Sequence, residues 1–189
     1  MSAYIAETAK VSRSARVSGW AEVFGSARVF GWAEVFGSAQ VFGSAQVSGS
    51  AQVYGSAQVF DSAQVYGSAQ VSGWAEVFDS AQVFGSARVF GSAQVSGDGR
   101  VSKPGDCVTV GPVGTGNTIT AHRDAKIGWR INAGCWSGTV NEARDNLRAQ
   151  HLHPDYAALP GSERDHHIRQ VRAALTFIAA HIRNEDGTP

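Results

Sequence analysis

Along the first hundred residues, apolar and polar positions return every six places, without insertion, from about Ile5 to Asp106. The unit reads V-[FSY]-G-[SW]-A-[QER]. Val11, Val17, Val23 and so on to Val101 mark the register, and an Ala four places after each Val keeps step. Departures are few: Arg13, Asp61, Asp79 and Lys103 stand where Gly is usual, and Gly99 replaces an Ala. A period of six excludes an amphipathic helix, whose apolar residues return every three or four positions. In an extended segment, Ala, the residue after it and Val point inward, outward and inward. The Gly-Ser or Gly-Trp pair then turns the chain, with Gly taking backbone angles that a β-carbon resists. Each unit is therefore a short strand plus a corner, and only stacked units bury a continuous core of small Ala and branched Val.

This aliphatic-then-small pattern resembles the hexapeptide-repeat superfamily. The resemblance implies a left-handed parallel β-helix with three hexapeptides per coil and five to six coils. At roughly 4.8 Å between coils the rod would stand on the order of 25 Å tall. Residues 1–106 are expected to form it.

If a coil takes three units, residues 18 apart stack and the outward positions sort onto three faces. One face carries Phe24, Phe42, Phe60 and Phe78 without a break, beside Glu22, Gln40, Gln58 and Glu76. On the other two faces Ser interrupts the aromatics. Contiguous apolar surface of several hundred Å² is rare on a soluble monomer, so the Phe ladder is expected to be a homo-oligomer interface. Trp20, Trp32 and Trp74 replace the corner Ser, each opening a W-A-E triplet, and are candidate platforms for a ring-bearing ligand.

From Cys107 the composition changes, and residues 107–189 predict a small α+β cap of about three strands and two helices. Val108–Val113, Thr118–His122 and about Ile127–Asn132 read as strands, with a turn at Gly114-Thr115-Gly116-Asn117. Thr139-x-x-Glu142 is a capping box that opens a helix to about Gln150. A second helix is expected from about Ser162 to Arg183, its stripe Ile168, Val171, Leu175, Ile178 and Ile182 spaced by three and four. A parallel β-helix ends in an unpaired edge and an open core, and this module stands where a cover is needed. Its strands followed by Gly134-Cys135-Trp136-Ser137-Gly138 and a helix resemble the tails of bacteriophage and prophage hexapeptide-repeat proteins.

Charge and candidate chemistry narrow the function. Lys plus Arg and Asp plus Glu both total 16, which argues against nucleic acid or an acidic membrane as partner. No apolar run is long enough for a membrane span or a signal peptide. Two cysteines suit a reducing compartment, so a cytoplasmic location is expected. The resemblance also implies a comparison with acyltransferases that use a His base and with zinc-binding carbonic anhydrases. Yet the first His in the chain is His122, beyond the repeats, and no register-breaking loop is present. Neither site can be placed on the rod, so no enzyme activity, cofactor or metal is expected. Cys135 before a helix start, His151 and His153 with His166-His167, and His122-Arg123 with Lys126 and Arg130 are the remaining chemical candidates. The resulting expectation is a non-catalytic, self-associating structural or interaction protein, related to phage, whose partner is itself or a host protein. A second reading is a phage-type sponge holding a small nucleotide between subunits, with Trp20, Trp32, Trp74, His122, Arg123 and Trp136 as candidate contacts. A third is a degenerate acyltransferase completed by a cap His on a neighbouring rod.

Overall fold

The computed structural model describes residues 3–113, 117–134, 136–150 and 161–187. It is a parallel β-solenoid closed at one end by a small cap of strands and two helices. Seventeen two-residue strands, β1 (Tyr4–Ile5) to β17 (Arg100–Val101), one per hexapeptide, make five complete coils and two strands of a sixth. Every third strand pairs, all in parallel and with partners 18 residues apart, as in Gln40↔Gln58 and Val41↔Val59. Three sheets result. Face A runs from Tyr4–Ile5 through Glu22–Val23, Gln40–Val41, Gln58–Val59 and Glu76–Val77 to Gln94–Val95. Face B runs from Lys10–Val11 to Arg100–Val101, and face C from Arg16–Val17 to Arg88–Val89.

From Ala21 to Val89 every repeat Ala and Val is at most 1% exposed, in one continuous core. The first coil is less covered, with Val11 and Val17 half-buried and Ile5 exposed. The corners explain the glycines. Gly49 sits at φ +68°, and a β-carbon there would lie 2.9 Å from the backbone N and O of Gly67 in the next coil. Asp61 and Asp79 hold the same left-handed conformation, at φ 56° and 57°. A strained non-glycine there costs about 1–2 kcal/mol, and Asp79 offsets it with a carboxylate that accepts the Gly97 amide at 2.9 Å.

The cap is a four-stranded antiparallel sheet: β18 (Cys107–Val113), β19 (Asn117–Asp124), β20 (Gly128–Ala133) and β21 (Trp136–Gly138). The sequence predicts three strands. The fourth falls in the segment 134–138 between the predicted strands and the helix, where three residues pair with β20. Helices α1 (Val140–Gln150) and α2 (Gly161–Asp186) follow. The capping box forms as expected: Glu142 donates its amide to Thr139 Oγ1 at 3.2 Å, and its carboxylate accepts the Thr139 amide at 2.7 Å. Ile131, Leu175 and Ile178 lead a second core between sheet and helices. Of the predicted turn at Gly114-Thr115-Gly116-Asn117, Asn117 opens β19 and the other three residues lie outside the described residues, as do Cys135 and the His151/His153 pair.

Strand β19 is what joins the two parts. Within the solenoid each coil donates its amides to carbonyls of the next, as Glu76 does to Ala93 and Phe78 to Val95. At the last coil side chains replace those carbonyls: Gln94 donates to Thr120 Oγ1 at 3.1 Å and Ser96 to His122 Nε2 at 3.3 Å. Ser102 and Lys103 donate to the Asp106 carboxylate. These amides of the last coil are thus satisfied by side-chain acceptors on β19 and by Asp106 just before the cap, as buried backbone groups require.

Candidate interaction surface

Face A presents three outward columns because residues alternate across each strand: the corner position, the Gln/Glu position and the position after Val. In the second coil these are Trp20, Glu22 and Phe24; in the fifth, Trp74, Glu76 and Phe78. The Phe column is continuous. Phe24–Phe42 and Phe42–Phe60 have ring centroids 4.9 Å apart, Phe60–Phe78 5.1 Å, and all three pairs are parallel to within 4°. Coil spacing exceeds the thickness of an aromatic ring, so the rings lean and stack with an offset, a favoured geometry. All four rings are half-exposed. The ladder ends at Ala6 on one side and on the other at Ser96, buried under the cap and donating to Asn132 Oδ1 at 3.2 Å.

Elsewhere Ser breaks the stacking into pairs, Phe36 with Tyr54 and Tyr66 with Phe84. Arg28 lies over Phe30 and Arg100 over Phe84 on face B, each guanidinium 5.7 Å from the ring centre. The three W-A-E triplets share a device: Glu22, Glu34 and Glu76 each accept a Gln amide from the following coil, at 3.0–3.1 Å.

The candidate ligand contacts do not converge. Trp20 and Trp74 share one corner, three coils apart, whereas Trp32 stands on a different corner, between faces B and C. They are 59%, 71% and 73% exposed. His122, grouped from sequence with Arg123, Lys126 and Arg130 as a chemical candidate, is fully buried between solenoid and cap. Its Nδ1 donates to the Arg123 carbonyl at 2.9 Å, leaving Nε2 to accept from Ser96 and from Asn132 Nδ2 at 3.3 Å. Burial pushes its pKa down to about 4, so it is neutral at pH 7. Arg123 is held inside the cap, paired with Asp186 and Asp106 and lying 4.5 Å from the Trp129 ring centre. Lys126 and Arg130 pair with Asp98 and Asp124. Trp136 borders an apolar hollow of about 50 Å³ with Ile119, Leu147 and Leu175, far below the roughly 300 Å³ where small-molecule pockets begin. Cys107, half-buried against the end of the solenoid core, has its thiol pushed up to about 12 by burial, which removes it as a nucleophile at neutral pH. Among the described residues no three His, Cys, Asp or Glu side chains group as metal ligands. None of the helices described is long and apolar enough to cross a membrane.

What the fold and surface define is a capped parallel β-solenoid with one uninterrupted aromatic face. No protein-family model matches the chain, and no curated protein or solved structure matches it.

Proposed function

We propose that the protein is a non-catalytic, self-associating structural or interaction protein whose solenoid faces are its contact surfaces. The observation that carries this reading is the Phe24–Phe78 ladder, four half-exposed stacked rings bracketed by exposed Trp20 and Trp74 on the same face. Each ring is stacked on a neighbour 18 residues away, which limits its rotamer freedom and so the entropy lost when a partner covers it. Two further observations favour a non-catalytic reading: the buried His122 is committed to the junction, and the repeats hold no histidine. Light scattering on Phe42→Glu plus Phe60→Glu tests the reading. The mass should fall to that of a monomer, and an oligomeric mass equal to that of the unaltered protein refutes the ladder as the contact.

A further inference from the structure

The balanced net charge conceals a separation across the solenoid. Among the described residues, face A and the corner after it carry Glu7, Glu22, Asp61, Glu76, Asp79 and Asp98, with no Lys or Arg. Face B and its following corner carry Lys10, Arg13, Arg28, Arg100 and Lys103, with no Asp or Glu. Among the described residues, ion pairs on these two faces occur at the cap end, Asp98 with Lys126 and Lys103 with Glu185. Face C is mixed, with Arg16 bridging to Glu34.

The aromatic groups repeat the same division. Face A has two stations of indole plus carboxylate, Trp20-Glu22 in the second coil and Trp74-Glu76 in the fifth. Face B has two stations of ring plus guanidinium, Phe30 under Arg28 and Phe84 under Arg100. The rings Phe30 and Phe84 stand in the second and fifth coils, the heights of Trp20 and Trp74; Arg28 shares the second coil, whereas Arg100 belongs to the sixth and reaches back over Phe84. Two solenoids standing side by side and the same way up meet with their strands running in opposite directions. The Trp column that opens face A then faces the aromatic column that closes face B, with the Glu column opposite the Arg column. Face A against itself fails this test. With the ladder fully overlapped, parallel copies set Glu22 on Glu22 and Glu76 on Glu76, and antiparallel copies set Glu22 on Glu76 twice, a like-charge arrangement that opposes association.

We infer that face A docks on face B of a second copy of this chain, the Trp20-Glu22 and Trp74-Glu76 stations seating on the Arg28-Phe30 and Phe84-Arg100 stations of its neighbour. The inference rests on the self-association proposed above and specifies its partner surface. Each copy offers both faces, so the contact is heterologous and passes from one copy to the next. Indole against guanidinium and phenyl, with carboxylate beside guanidinium, combines cation–π and charge-assisted contacts.

Charge exchange on the full-length chain separates the outcomes. Glu22→Arg with Glu76→Arg, and in a second variant Arg28→Glu with Arg100→Glu, alter only outward side chains, and circular dichroism should show both folded. In sedimentation velocity each variant alone should associate at least about tenfold more weakly than the unaltered protein. An equimolar mixture, in which every A–B contact regains opposite charges, should recover the assembly. If the Arg28→Glu, Arg100→Glu variant assembles like the unaltered protein, the A–B contact is overturned, and its loss of polyanion binding alone would assign face B to a nucleic-acid or other polyanionic partner. A monomeric unaltered protein refutes self-association itself, before any face is assigned.

Discussion

Acidification should loosen the cap from the end of the solenoid through one side chain, His122. The imidazole is fully buried, and its Nε2 accepts the Ser96 amide and faces Asn132 Nδ2, both donors. A proton on Nε2 would set donor against donor and place a cation near Arg130, with Asp124 the opposing charge. Burial outweighs the favourable groups and holds the pKa at about 4, against 6.5 for an ordinary histidine. At about 1.4 kcal/mol per pH unit, that difference amounts to about 3 kcal/mol. Because the folded state lowers the pKa of a base, the unfolded chain binds the proton first. Stability is full above pH 6.5, falls as pH drops from 6.5 towards 4, and levels off below. Urea denaturation followed by circular dichroism across this range measures the slope. Asp124, also lowered by its bonds to Arg130 and the Lys126 and Ile127 amides, adds its loss at lower pH. His167, lowered by burial, adds to the His122 window. The comparison with His122→Gln isolates the term, since a Gln oxygen can still accept from Ser96 but does not titrate. The variant should lose most of the slope between pH 6.5 and 4, and parallel profiles for the two proteins would refute this account of the junction.

Other consequences follow from the corners and caps. Gly49→Ala forces an L-residue to φ +68° and drives a β-carbon to 2.9 Å from Gly67. Gly91→Ala meets the same torsional problem at φ +69° but nothing within 4 Å. Thermal melts should show Gly91→Ala costing about 1–2 kcal/mol and Gly49→Ala clearly more; equal costs would mean that the coils do not pack this closely. Thr139→Ala removes the hydroxyl that accepts the Glu142 amide and donates to its carboxylate, leaving the backbone amide of residue 139 bonded to that carboxylate; it should cost about 1 kcal/mol, read as increased amide exchange in the first turn of α1. Arg123→Ala breaks the links to Asp186 and Asp106 and the Trp129 stack. It should lower the melting temperature of the cap, and an unchanged melt would mean that α2 is held by its apolar face alone.

The solenoid was legible in the sequence because its periodicity is strict. Val and Ala at fixed places in a six-residue unit, with a corner glycine, specify strand, core and turn together, and the 18-residue register brings Phe24, Phe42, Phe60 and Phe78 into one column. The Thr139–Glu142 box and the stripe on α2 were equally readable, since each is a local pattern. What only the tertiary structure decided is how the cap meets the rod. Strand β19 is covered on both sides, with Ile119 and Ala121 in the cap core and Thr120 and His122 against the last coil. From sequence His122 and Arg123 are candidate ligand contacts. The first instead accepts a backbone amide, and the second locks the end of α2. No local pattern announces this, because the need comes from elsewhere: the last coil has amides that no further coil can accept, and whichever polar side chains lie across that edge must take them. The short fourth strand has the same origin, since pairing with β20 rather than the propensity of Trp136–Gly138 makes it a strand. Composition likewise concealed the charge separation. Net charge is a sum over the chain, whereas the acidic and basic faces exist only once the chain is wound in coils of 18 residues.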